Sequence, residues 1–153
     1  MKNKLSVALI VLIIAAAACQ SATPPPPITA EQGAEFTLAP DQTVTVTNTG
    51  LVIRLIGVAG DERCPSGIEC AMSGPVSISL SVQQNNGNPT NIDLQTFTDN
   101  DGRAPAGKFE GINSSATFQG YSIQVMGVTP YPTSLSKSIK SSDYRVILTV
   151  TQE

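Results

Sequence analysis

The sequence predicts an all-β fold, a single antiparallel β-sandwich of immunoglobulin-like or jelly-roll-like type, over residues 34–153. Three observations predict it. Apolar residues recur with period two, the spacing of a strand with one buried face, and not with the 3.6 of a helix. Clusters of Asn, Asp, Gly and Pro interrupt these runs at short intervals and supply the backbone conformations that turns need. No stretch of helical length carries an amphipathic pattern.

Taken in order, the runs begin with "AEFTLA" and with "QTVTVTN", where Val44 and Val46 oppose Thr43, Thr45 and Thr47. Asn48-Thr49-Gly50 then turns the chain into "LVIRLIGV". The cleanest alternation is "PVSISLSV", with Val76, Ile78, Leu80 and Val82 on one face and Ser77, Ser79 and Ser81 on the other. The Asn85–Pro89 group that follows is a hairpin signal, so the strands at 75–83 and 91–98 are expected to pair antiparallel. After "NIDLQTF" and the turn Asp99–Gly102 come "ATFQ" and "YSIQVMGV". "SLSKSIKSSD" offers at most a short helical turn, and "YRVILTVTQ" closes the domain with Tyr144, Val146, Leu148 and Val150 on one face. β-branched residues dominate throughout, as a pleated half-buried surface favours. Seven or eight short strands of this kind make a sandwich.

Composition narrows the chemistry. The 153 residues include no histidine, which removes Ser-His-Asp and Cys-His mechanisms and every His-ligated metal site. Charged residues are 14% of the chain, against roughly 25% in an average globular protein, and Ser, Thr, Asn and Gln take their place. Net charge is −3; without Lys2 and Lys4 it is −5, from 7 basic and 12 acidic residues. An acidic chain with no basic cluster repels phosphate backbones, so nucleic acid is not an expected partner.

"MKNKLSVALIVLIIAAAAC" starts with Lys2 and Lys4, continues through an apolar run from Leu5 to Ala18 and reaches Cys19 through small residues. That is the architecture of an export signal. The 14 apolar residues are too few to cross a ~30 Å hydrocarbon core as a helix. A cysteine directly after Ala16-Ala17-Ala18 resembles the lipobox of bacterial lipoproteins, with Ala16 standing where Leu is commonest. The resemblance implies that residues 1–18 are a lipoprotein signal peptide and that Cys19 becomes the mature N-terminus. There it carries a diacylglycerol and palmitate-type chains, which hold it in the membrane. Gln20 follows, not the Asp that often marks inner-membrane retention in diderm bacteria. The expected location is the bacterial cell envelope, on the outer face of the cell membrane or at the outer membrane of a diderm. Residues 19–33, with Pro24–Pro27, read as a polyproline II tether. Extended, it would reach roughly 45 Å and lift the domain off the lipid.

"GDERCPSGIECAMSG", Gly60 to Gly74, is the stretch densest in reactive and charged groups. With Cys19 assigned to lipid, Cys64 and Cys70 are left as a pair in an oxidising compartment, and a disulfide is expected. Their spacing is not the C-x-x-C of an exchange centre. Two thiolates without His or a second cysteine pair are too few for structural zinc. Arg63, beside Asp61 and Glu62, is expected to brace the loop as an exposed ion pair worth under ~1 kcal/mol. Pro65 and Gly67 suit a tight reversal, and the whole reads as a stapled crossover between the strands at 51–58 and 75–83.

"DERCP", a few residues, Cys70 and Gly74, followed by an alternating strand, resembles a signature of uncharacterised bacterial lipoproteins and secreted proteins. Asp61, Arg63, Cys64, Pro65, Cys70 and Gly74 match it position by position, while Met72 stands where the signature carries Trp. The resemblance runs back to "FTLAPDQTVTV" and on to "PYP" and "YRVILTV". It implies a compartment and a β-domain, and no particular activity.

Two further stretches are candidates. Asp99–Gly102 resembles a fragment of a calcium loop, but Phe97 and Lys108 occupy the places of its first Asp and last Glu, so a polar turn is expected. Thr129–Pro132 holds Tyr131 between prolines, where the ring either fills a turn or is offered to a partner or glycan. No catalytic residue, metal or cofactor is predicted. The expected function is that of a lipid-anchored envelope protein, a non-enzymatic binding or structural module. It would be held by the membrane and meet an envelope protein or glycan, with Asp61, Arg63, Pro65, Met72 and Tyr131 as candidate binding residues. The alternatives are a protease or lysozyme inhibitor acting through the stapled loop, and a hydrolase using carboxylates alone.

Overall fold

Each of the eight alternating runs becomes a strand, and a ninth precedes them. The computed structural model describes residues 23–153, so the leader and Cys19 lie outside the described residues. The strands are β1 (Ile28–Ala30), β2 (Phe36–Leu38), β3 (Thr43–Val46), β4 (Leu51–Asp61), β5 (Val76–Gln84), β6 (Thr90–Thr96), β7 (Ser115–Phe118), β8 (Tyr121–Thr129) and β9 (Arg145–Gln152). A five-stranded sheet in the order β1-β3-β4-β5-β6 packs on a four-stranded sheet in the order β2-β9-β8-β7. Every neighbouring pair is antiparallel except β1, which runs parallel to β3. This is the predicted all-β sandwich.

Period two builds the core. Val76, Ile78, Leu80 and Val82 turn fully inward from β5, and Val146, Leu148 and Val150 meet them from β9. Full burial of such a side chain contributes ~1.5–3 kcal/mol, which is why register is fixed strand by strand. β5 and β6 form the expected hairpin: Val82 pairs with Thr90, and Asn85 and Asn86 adopt φ of 51° and 58°. Two consecutive positive φ values match the right-handed twist of the strands, and Asn tolerates them better than most residues. At the same end Thr49 is buried, its hydroxyl donating to the Val46 carbonyl (2.9 Å) and accepting from the Leu51 amide (3.0 Å).

Three features differ from the sequence reading. First, β1 lies inside residues 19–33, which the sequence assigns to the tether. Three residues are too few to show a period, yet Ala30 is buried and Gln42 Nε2 donates to the Pro26 carbonyl (2.9 Å), so the chain is already on the domain there. Second, β4 and β5 are adjacent and antiparallel, so the loop between them closes a wide hairpin and is no crossover. Third, register shifts between Leu55 and Gly57 and between Val58 and Gly60 bulge β4 twice. The alternation of "LVIRLIGV" therefore holds as far as Ile56, which faces outward and is exposed, and fades beyond it.

Candidate functional site

Three long loops leave the sheets at one end of the sandwich. Asp61 at the end of β4 and Thr96 at the end of β6 both pair with Val76, and Thr129 at the end of β8 pairs with Arg145. The connections 62–75, 97–114 and 130–144 therefore gather at this end, the last containing a short 3-10 helix, Ser141–Asp143. The opposite end carries the tight turns 47–50, 85–89 and 119–120 and the connection 31–35 from β1 to β2.

One side chain ties the loops together. Arg63 is 4% exposed, and all five of its guanidinium N–H donors are engaged. Nε and one terminal nitrogen grip the Asp61 carboxylate side-on, at 2.8 and 2.6 Å. The remaining donors reach the carbonyls of Val128 (2.7 Å) and Pro130 (2.9 Å) and the hydroxyl of Thr98 (3.3 Å). Tyr144 donates its hydroxyl to the second Asp61 oxygen (3.0 Å), and Tyr131 lays its ring 5.1 Å from the guanidinium carbon. The loop brace expected on the surface is thus a buried clamp joining β4, β8, the residue just before β9 and the loop after β6. The groups that bury it lie 35 to 83 residues away in the chain, which no local reading could supply.

Charge follows from this geometry. Burial opposes ionisation of Asp61, but the hydrogen bonds and positive charge of Arg63 outweigh it, and the carboxyl is held below its ordinary range. Burial, followed by the neighbouring Asp61 charge, pushes the Tyr144 phenol up to about 12.

The remaining signature residues build the same loop. Cys64 and Cys70 form the expected disulfide, their Cα atoms 6.0 Å apart. Pro65 is buried. The Ser66 amide donates to the Pro132 carbonyl (2.9 Å) and the Tyr131 hydroxyl to the Cys64 carbonyl (2.8 Å), stitching this loop to the one after β8. Gly74 is required by close approach: a Cβ there would collide with the side chain and carbonyl of Glu62, to which the Gly74 amide donates (2.8 Å). Asp99–Gly102 is a docked turn. One Asp99 oxygen accepts from the amides of Asp101 (3.0 Å) and Arg103 (2.8 Å), and the carbonyl of Gly102, whose φ is 78°, accepts from the Val128 amide (2.7 Å).

Of the five candidate binding residues, Arg63 and Pro65 are buried, and Asp61 and Tyr131 direct their polar groups inward. Met72 is 86% exposed. The residues that sequence reasoning missed are Tyr144 as a ligand to the clamp, Thr98, and the carbonyls of Val128 and Pro130. Only Tyr144 left a signal, as a hydroxyl on the inward face of the alternating run that leads into β9.

A groove of about 520 Å³ lies beside the bulged half of β4, lined by Thr23–Pro25, Asp41, Ile56, Ala59, Ser142 and Arg145 among others. It contains one carboxylate, and the shallow depression on the outer face of β5 and β6 also contains one, Asp93. Among the described residues no group of three or more Cys, Asp and Glu side chains converges as a metal-ion site. No protein-family profile matches the chain, and no curated protein or solved structure matches it.

Proposed function

We propose that the chain is a lipid-anchored protein of the bacterial envelope whose sandwich is a non-enzymatic binding module, and that the clamped loop end is its binding face. One observation supports this reading above the others: a single buried guanidinium uses all five donors to fix the three loops against one another. Loops held this way lose little conformational entropy on binding. Between them stand two exposed apolar side chains, Met72 and, at 75% exposure, Leu135. The test places a photo-crosslinking residue at Met72 or at Asn88, on the opposite end, in the full-length chain in its own envelope. Adducts of protein, glycan or lipid mass at position 72 and none at 88 are expected; equal yields at both positions would refute the reading. Labelled palmitate lost in Cys19→Ala, with loss of membrane partitioning, tests the anchor. The exposure of Met72 in a stapled loop favours a second reading, inhibition of a protease or lysozyme, which unchanged rates across an enzyme panel would eliminate.

A further inference from the structure

The position at which the chain joins the domain has a consequence for the loop end. Thr23, Pro24 and Pro25 line the groove beside β4 together with Ala59 and with Ser142 and Arg145 near the start of β9. Ala59 precedes the loop 62–75, and Ser142 and Arg145 lie at the end of the loop 130–144. Four residue steps separate Thr23 from Cys19, a reach of at most ~14 Å. From Ala59 back to Leu51, β4 runs about 26 Å toward the end with the tight turns. A lipid on Cys19 would therefore be held within that reach of Thr23, short of the end with the tight turns. The expected 45 Å spacer is not available, because its second half is docked on the domain.

Surface polarity runs along the same axis. Five large hydrophobic residues are exposed among the described residues. Ile56 lies in the groove, and the other four, Ile68, Met72, Phe109 and Leu135, all lie in the three long loops. The turns 47–50, 85–89 and 119–120 consist of Thr, Asn, Gly, Pro and Gln. Both observations orient the molecule the same way.

Resting on the reading of Cys19 as lipidated, and naming the partner of the clamped loops, we propose that the loop end lies against the bilayer that holds Cys19, with Met72 and Leu135 seated at the boundary between headgroups and acyl chains. The acyl anchor makes this contact intramolecular, so a small apolar patch suffices where a free domain would need a larger one. The contact is apolar. Glu62, Glu69, Asp99, Asp101, Glu110 and Asp143 outnumber the unpaired bases Lys108, Lys137, Lys140 and Arg145 at this end, so anionic lipid gives no added attraction.

The test uses the full acylated chain. With Cys19 acylated and Cys64 paired to Cys70, no thiol is free, so Met72→Cys, Leu135→Cys and Asn88→Cys each accept one environment-sensitive fluorophore at an exposed site. In phosphatidylcholine vesicles containing nitroxide-labelled lipid, quenching at positions 72 and 135 should exceed that at 88 by about twofold or more and should persist at high salt. Equal quenching at 72 and 88, in a chain shown by mass and vesicle flotation to be acylated and anchored, overturns the inference and leaves the anchor standing. A chain without acyl groups overturns both. Protection of position 72 in native envelope membranes but not in vesicles makes the occupant a membrane protein, and the lipid contact is refuted.

Discussion

Replacing Arg63 by Met keeps the apolar stem of the side chain and removes the guanidinium. The Asp61 carboxylate, whose side chain is 12% exposed, then loses its counter-charge, and the Val128 and Pro130 carbonyls lose their donors. Removing one member of a buried ion pair costs about 3–5 kcal/mol. Asp61 still accepts from Tyr144 and from the backbone amide of residue 63, which places the expected loss near the lower end, at about 3–4 kcal/mol. Against a typical domain stability of 5–15 kcal/mol, the variant should fold, with Tm lowered by roughly 10–15 °C. Urea unfolding followed by circular dichroism measures the loss, and Asp61→Leu completes a double-mutant cycle. The double variant exchanges the whole pair for apolar groups, so it should be less destabilised than the sum of the singles by about 2 kcal/mol or more. A loss below ~1 kcal/mol for Arg63→Met, or strict additivity, is what an exposed ion pair would give, and either result refutes the buried clamp.

Four other outcomes are expected. Reducing the disulfide or making Cys64→Ser/Cys70→Ser should cost roughly 2 kcal/mol of unfolding free energy, because so short a closed loop restrains few unfolded conformations. Asp61 has its folded pKa lowered, so its contribution is complete above the ordinary carboxylate value near 4 and is lost as pH falls through the lower folded value. Tm should therefore hold between about pH 5 and 8 and drop in acid; in Arg63→Met the acid drop should vanish or reverse. Tyr144 has its folded pKa raised, so its contribution is complete below about pH 10 and is lost toward 12. Phenolate absorbance should show one of the 3 tyrosines titrating late, and Tyr144→Phe should abolish that step. Gly102→Ala should cost about 1–3 kcal/mol by calorimetry, since φ is 78° and a Cβ would press on the Val128 carbonyl; an unchanged Tm would show that the turn is not docked on β8.

What was legible in the sequence was whatever repeats locally. Val76 to Val82 alternate over a whole strand and declare one buried face, and the Asn85–Asn86 pair declares its hairpin. β1 was illegible because its three residues follow four prolines, so nothing periodic marks where the tether ends and the sheet begins. The disulfide was legible because counting cysteines leaves one pair. The clamp was not. Asp61 and Arg63 are neighbours in sequence, but their environment is made by Thr98, Val128, Pro130 and Tyr144, and only the closing of both sheets brings these within hydrogen-bonding distance.

That distinction changes what the signature residues mean. Asp61, Arg63, Cys64, Pro65, Cys70 and Gly74 all have work inside the loop: an ion pair, a bridge, a buried ring and a close backbone approach. A side chain that holds a loop by burial cannot also contact a partner without giving up that burial, at a cost of several kcal/mol for the ion pair. Recognition by this loop therefore has to come from the residues between them, and Glu62, Ile68, Glu69 and Met72 are the large exposed ones. Met72 is a flexible thioether, which adapts to an irregular apolar surface more readily than a rigid ring does. Exchanging Met72 for Asp should leave the urea midpoint unchanged within about 0.5 kcal/mol, because 86% of the side chain is already in solvent. Any binding it weakens is then attributable to the outer face of the loop, whereas a fall in stability would place Met72 among the residues that build it.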